Sequence, residues 1–422
     1  MSRALRIYYA AGPGDVLGTY RHWREGRDDP SQVAVTYSGQ FYDLVRELEA
    51  EALVVASNRT PARLWEGALI IKHRAVPFDQ SASGVLYHLG QFWSAIRLIG
   101  SALWYRADVA VVVNGTCDWF PLRVLPALGV EVVPTVHCVL WRKGERLRGV
   151  RKLIATLDRK FFARSVAALM SASHEITTQI SKVAGGRARP VHEFLPSYRR
   201  EQFAGLGEPP PQRKPFRVLF AGRIEREKGV FDLLEIAKAF GAAGRTEVEF
   251  DLCGTGGVLE ELKAAVAAAG LGGRFRCHGH RDKATMREMF ARCHAVIVPT
   301  TTQFIEGFNQ VVAEGVLSGR PVITSSVCPA LEYVREAVVE APPDDVGAYG
   351  AAILRLCDDL NYYRSKVAGC RAAQGQFYDP ERSWGTALRN VLRSAGLIAH
   401  ARPAAWAATA VTAAKPSSSP SL

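Results

Sequence analysis

Apolar residues fall along this chain in short runs separated by longer stretches of helical spacing. In the first half, residues 5–10, 52–56, 68–71, 109–113, 132–136 and 167–170 read as strands, and 41–51, 87–105 and 147–162 as helices. Runs that are apolar throughout, such as Val109-Ala-Val-Val-Val113, suit strands covered on both faces, and their alternation with helices argues for parallel sheets. The same alternation repeats from Val218 onward. Between the halves, the stretch 196–215 ends with four prolines in its last seven residues and reads as a connection between domains.

The second half carries the chemistry. Phe304-Ile-Glu-Gly-Phe-Asn-Gln-Val-Val-Ala-Glu-Gly-Val-Leu-Ser-Gly319 predicts a turn followed by a helix, with Glu306 just ahead of that helix and Glu314 two turns on. The amides of Gly307, Phe308 and Asn309 would head the helix unpaired, at its positive dipole end, a setting that suits a phosphate. One molecule would then be held at three points: sugar hydroxyls on Glu306, a diphosphate at the amides, ribose hydroxyls on Glu314. Upstream, Arg217-Val-Leu-Phe-Ala-Gly-Arg-Ile-Glu-Arg-Glu-Lys-Gly229 places Arg223 and Lys228 after a strand ending in Gly222. That is where parallel sheets bind ligands, and two cations there would neutralise a diphosphate leaving group. Surface pairing with Glu225 and Glu227 is the competing reading. Phe250-Asp-Leu-Cys-Gly-Thr-Gly-Gly257 adds a strand running into a Gly-rich turn at Gly254, a weak signal alone.

Taken in order, Gly-Arg-x4-Lys-Gly, Cys-Gly-Thr-Gly-Gly, His278-Gly279, Val298-Pro-Thr300, Glu-Gly-Phe-x5-Glu-Gly and Gly-Arg-Pro-Val-Ile resemble the retaining glycosyltransferases of family 4 across residues 216–340. The resemblance implies the GT-B fold: two Rossmann-like, doubly wound parallel-sheet domains facing a central cleft. The acceptor domain would span 1–200, a linker 201–215 and the nucleotide-sugar donor domain 216–378. A helix at 379–400 would return toward the first domain, and the tail at 401–422 reads as disordered. The resemblance further implies metal-independent, cofactor-free transfer from a nucleotide-diphosphate sugar with retention of configuration. Arg223 and Lys228 would contact the diphosphate, Glu306 the donor sugar and Glu314 the ribose, while Gly279 and His280 would lie beside the base. It also assigns Gly14, in the loop Gly12-Pro-Gly-Asp15, to the donor phosphates, although family members usually have paired glycines there. His137, ending Val132-Val-Pro-Thr-Val-His137, matches the family histidine that contacts the donor sugar. The chain has Glu314-Gly315 where the family usually has Glu-Ala, which should let something pack closer. By position alone, Asp118 and Trp119 would line the acceptor side.

With 422 residues, the chain is long enough for two cores. Its eight cysteines show neither metal-ligand nor disulfide-framework spacing and read as buried thiols of a cytoplasmic protein. The first strand follows the N-terminus too closely for a signal peptide. The net charge of +12 is uneven: residues 1–200 hold 27 Lys and Arg against 17 Asp and Glu, the rest 26 against 24. Within that first half, 141–164 interleaves cations with apolar residues at helical spacing. Such a helix either docks on an anionic membrane surface or packs its apolar stripe on the sheet. No nucleic-acid module accompanies the charge. The partners implied are a nucleotide-sugar donor and a saccharide or lipid-linked acceptor, in bacterial polysaccharide or glycolipid assembly. The alternatives are a sugar-nucleotide epimerase of GT-B type and a non-catalytic nucleotide-sugar-binding protein.

Overall fold

The computed structural model describes residues 3–75 and 84–399, so the tail at 401–422 lies outside the described residues. The first sheet comprises β1 (Arg6–Pro13), β2 (Glu51–Ser57), β3 (Ala62–Glu66), β4 (Leu69–Arg74), β5 (Val109–Val113), β6 (Glu131–Val136), β7 (Leu169–Ser171) and β8 (Val191–Glu193). Their order is β3-β4-β2-β1-β5-β6-β7-β8, parallel throughout except for the β3–β4 hairpin. The second sheet comprises β9 (Phe216–Ala221), β10 (Val248–Cys253), β11 (Phe275–Gly279), β12 (Ala295–Val298), β13 (Val322–Ser325) and β14 (Val338–Ala341). Its order is β11-β10-β9-β12-β13-β14, all parallel. In each sheet the order reverses beside its first strand, at β1/β5 and β9/β12. The crevice outside the carboxyl ends at such a reversal is where open parallel sheets bind ligands.

Local chemistry explains where the elements depart from the apolar pattern. The helix expected at 41–51 runs Tyr37–Glu47 instead, because the Thr36 hydroxyl accepts from Gly39 N and caps it early, and Glu49 turns to φ +48° behind it. Glu51 is already the first residue of β2. The basic helix runs Gly149–Lys160 and then widens into a π-type turn, Phe161–Ser165, which rotates both phenylalanines into the core. Trp119 stacks on Phe161 there with ring centroids 5.7 Å apart, so it belongs to the core and does not line the acceptor side.

Residues 195–203 are packed between the two halves: Leu195, Tyr198 and Phe203 are buried with Phe308, Val312 and Phe377 of the second domain. The helix Trp384–Ser394 leaves that domain and buries Trp384, Leu388, Val391 and Leu392 in the core of the first. Arg320, from the Gly-Arg-Pro motif, is fully buried, and its guanidinium donates to the carbonyls of Gly207, Phe290, Ala291 and Ser318. This cation staples backbone and does not face the cleft.

Glycines allow the strand-end loops of the second sheet to touch. A Cβ on Gly254, at φ +144°, would lie 1.7 Å from the Gly222 carbonyl oxygen. Gly315 supplies the closer packing expected of it, since a Cβ there would sit 2.9 Å from Val322 Cγ2. Gly254→Ala is expected to cost at least about 2 kcal/mol, because backbone must move to admit the methyl group. Thermal unfolding monitored by circular dichroism would register this as a drop of several degrees; an unchanged midpoint would mean that the two loops are not packed backbone to backbone.

Candidate active site

The loops after β9 and β12 converge on one carboxylate. Glu306, 7% exposed, accepts from Lys228 Nζ at 2.6 Å, Asn309 Nδ2 at 3.0 Å and Thr300 Oγ1 at 3.2 Å on Oε2, and from Gly307 N at 3.2 Å on Oε1. A buried carboxylate is costly unless paired and fully hydrogen bonded, and these four donors meet that requirement. Lys228 also lies 3.9 Å from the centroid of the Phe304 ring, with the Arg223 guanidinium 5.3 Å from the same centroid. Arg223 itself is exposed and pairs with no carboxylate among the described residues, leaving its five donors free for an anion. Glu225 holds Gly257 N at 2.9 Å, so the surface pairing with Arg223 and Lys228 does not occur.

The two halves meet at this carboxylate. Val139 N donates to the Glu306 carbonyl at 3.1 Å, Cys138 and Gly307 form an antiparallel bridge, and a Cβ on Gly307 would lie 2.7 Å from the His137 carbonyl oxygen. Lys143 Nζ reaches the Ser326 carbonyl at 3.1 Å, and Lys283 Nζ the Asp29 carbonyl at 2.9 Å. The cleft runs between these contacts. On its first-domain side it is lined by Pro13, Gly14, Asp15, Tyr37 and His137, together with Gln310 from the other side.

His137 is held as a neutral ring. It packs 4.6 Å from the Tyr37 ring and 5.2 Å from Phe194, and burial lowers its pKa to about 3. Trp384 Nε1, which can only donate, gives its hydrogen to Thr135 Oγ1 at 2.9 Å; the fully buried Thr135 hydroxyl is 3.0 Å from His137 Nε2. The imidazole nitrogen is the one acceptor within reach of that hydroxyl hydrogen among the described residues. Nε2 therefore accepts, the ring proton resides on Nδ1, and Nδ1–H has no protein partner there. Asn114 Oδ1 fixes the backbone by accepting from His137 N at 2.7 Å.

The helix geometry differs from that expected. The helix spans Gln310–Leu317, so the amides of Gly307, Phe308 and Asn309 precede its first turn. Asn309 sits at φ +65° with its amide side chain on Glu306, the Phe308 side chain is buried against Tyr333 and Phe377, and Gly307 N faces the carboxylate. Glu314 consequently stands one turn into the helix and not two. Its carboxyl is buried with no side-chain hydrogen bond among the described residues, and desolvation raises it to about 7.

Elsewhere, Gly222 and Gly254 form the touching loops. Gly279 accepts from Gly254 N at 2.8 Å, and the exposed His280 follows it at the end of β11. Asp118 is buried and faces His88 Nδ1 at 3.2 Å. One group of metal-ligand type occurs among the described residues, Glu247, Cys357 and Asp358; Arg245 pairs with both carboxylates at 2.7 Å, at the amino end of β10, opposite the cleft. Phe304, Thr135, Asn114 and Trp384 were not singled out from the sequence. Phe304 lies inside a recognised motif, whereas Trp384 reaches the site from 249 residues away and leaves no local signal.

Residues 207–367 match the family model described as glycosyl transferases group 1. That segment is thus similar to the glycosyl transferases group 1 family, and the described residues have the GT-B fold. The chain is 25% identical over 360 residues to O-antigen chain mannosyltransferase B of Escherichia coli, covering 82% of this chain and 87% of that one. Sucrose-phosphate synthase from Thermosynechococcus elongatus superposes with a TM-score of 0.68 at 14% identity, over 93% of this chain and 99% of that one. An Anabaena protein crystallised with UDP superposes with a TM-score of 0.62 at 15% identity, over 93% and 100%.

The buried Glu314 makes a prediction about stability. Its folded pKa of about 7 lies above the ordinary 4.5, so the folded protein keeps a proton that the unfolded chain has released. Stability then declines as pH rises from about 4.5 to 7. Glu314→Gln needs no ionisation and is expected to match wild type near pH 4.5 and to exceed it by on the order of 2 kcal/mol at pH 8. Parallel melts at the two pH values provide the measurement, and an equal difference at both would contradict a buried, protonated Glu314.

Proposed function

We propose that this chain is a family 4 glycosyltransferase that moves a sugar from a nucleotide-diphosphate donor to a saccharide or lipid-linked acceptor with retention of configuration. The observation that carries this reading is the convergence of a free Arg223 and the Lys228–Glu306 pair at the β9/β12 switch point, with neutral His137 on the first-domain wall of the cleft. In this reading the donor diphosphate lies against Arg223 and Lys228, and a sugar hydroxyl joins Glu306. The Nδ1–H of His137 donates to a sugar oxygen. Glu314 takes the ribose hydroxyls, which give a desolvated carboxyl the hydrogen bonds it lacks.

Chemistry then needs little from ionisable side chains. The bond between sugar C1 and the diphosphate oxygen breaks, its electron pair passing to the phosphate, where the two cations stabilise it. The acceptor hydroxyl attacks C1 on the face the phosphate leaves and gives its proton to the leaving phosphate. No metal takes part in this reading, because Arg223 and Lys228 supply the positive charge. Similarity to an O-antigen mannosyltransferase supports bacterial surface polysaccharide or glycolipid assembly on the cytoplasmic side of a membrane. No described helix is long and apolar enough to cross a membrane. Exposed Leu153 and Leu157 among the cations of Gly149–Lys160 support peripheral contact through 141–164.

Lys228→Ala and Glu306→Ala are each expected to lower transfer at least 1,000-fold with the correct donor. Lys228→Ala also strands a buried carboxylate and should lose about 3 kcal/mol of stability. The double variant Lys228→Met/Glu306→Gln should recover that stability without recovering transfer, which separates catalysis from folding. Near-wild-type rates in either single variant would refute the assignment, and conversion of the nucleotide sugar without an acceptor would favour an epimerase. Glu314→Ala should weaken nucleotide binding at least tenfold in calorimetric titration; unchanged affinity would remove its ribose role.

A further inference from the structure

The helix Gly84–Tyr105 is apolar on two sides. Ala95, Leu98, Ala102 and Tyr105 bury one side against the first sheet, as a covering helix should. On the other side Leu86, Leu89, Phe92, Trp93, Ile96 and Trp104 are all more than 40% exposed, at three- and four-residue spacing as far as Ile96, with Trp104 eight residues further on, beyond Gly100. A helix of this length presents a stripe of about 30 Å, far beyond the isolated exposed leucine that monomers tolerate. At one end of the stripe, Lys72, Arg74 and Arg97 line an open cavity with Trp104. Lys72 Nζ is 4.9 Å from the centroid of the Trp104 ring, and Arg74 Nη1 donates to Ser101 Oγ at 3.0 Å. The turn Phe120–Arg123 touches both this helix and the basic helix Gly149–Lys160.

We propose that the exposed side of Gly84–Tyr105 is the surface on which the protein docks to an anionic lipid bilayer, its apolar stripe entering the headgroup boundary and the Lys72–Arg74–Arg97 cavity receiving a lipid phosphate. This deepens the peripheral-membrane reading above and rests on it. Charge identifies the occupant. Gly84–Tyr105 contains no Asp or Glu, Phe120–Ala127 contains none, and the single acid of Gly149–Lys160, Asp158, is buried. A second copy docking through the same patch would bring two net-positive surfaces together. An anionic lipid surface offers instead the opposite charge together with an apolar phase. The helix lies on the bilayer and does not span it.

Vesicle co-sedimentation of the full chain tests this, using phosphatidylcholine alone and a 1:1 mixture of phosphatidylcholine and phosphatidylglycerol. Wild type is expected to bind the mixed vesicles at least tenfold better than the neutral ones. Leu89→Ser/Trp93→Ser should lose at least tenfold of that binding. Lys72→Ala/Arg97→Ala should abolish the preference for anionic lipid. Both double variants change exposed or half-buried positions, and unaltered melting would show that they fold. If only Leu153→Ser/Leu157→Ser on the basic helix loses binding, the docking surface is not Gly84–Tyr105, although the peripheral reading stands. If wild type binds neither vesicle, both fail. A dimer in sedimentation velocity that Leu89→Ser/Trp93→Ser splits, without vesicle binding, would reassign the stripe to self-association.

Discussion

The buried ion pair between Lys228 and Glu306 organises the second domain's side of the cleft. A carboxylate shielded from water has to be matched by donors, and satisfying it dictates the path of the chain from Thr300 to Asn309. Asn309 accepts a left-handed backbone so that its side chain can reach Glu306, which delays the helix to Gln310. The Glu306 carbonyl accepts from Val139 N of the first domain. Charge neutralisation, loop shape and domain contact therefore depend on one side chain and its peptide. The neighbouring Arg223, left free, is the cation available to an incoming anion.

The opposite wall is set by a chain of hydrogen bonds whose direction follows from donor chemistry. Trp384 can only donate, so Thr135 accepts from it and donates onward to His137 Nε2. A histidine in this aromatic setting is neutral, and its remaining proton has no protein partner among the described residues. The residue that imposes this tautomer belongs to the C-terminal helix, which is otherwise part of the first domain's core. The return of that helix across the molecule thus affects the site as well as the packing.

Much of this architecture was legible in the sequence, and the failures have local causes. Strands buried on both faces announce themselves as apolar runs; β3 and β8 do not. β3 is a half-exposed edge strand in which Arg63 and Glu66 interrupt the apolar residues, and β8 is three residues long. The helix expected at 41–51 was displaced by a Thr36 cap that apolar periodicity does not register. Trp119 lies near a strand end but turns inward because the widened turn at Phe161 offers it two aromatic rings. Arg320 sits in a recognisable motif yet serves backbone carbonyls.

The sequence by itself determined the two α/β domains and the placement of Arg223, Lys228 and Glu306 in strand-end loops, because such loops carry their chemistry in short, contiguous motifs. Whether those side chains lie free, paired or desolvated was decided only by the tertiary structure, since it depends on groups that are distant along the chain. Lys228 and Glu306 are 78 residues apart, and Trp384 and Thr135 are 249 apart. The helix Gly84–Tyr105 shows the same division. Its apolar character is plain in the sequence, but one apolar face suffices to cover a sheet, and only the packed fold reveals that the second is left exposed.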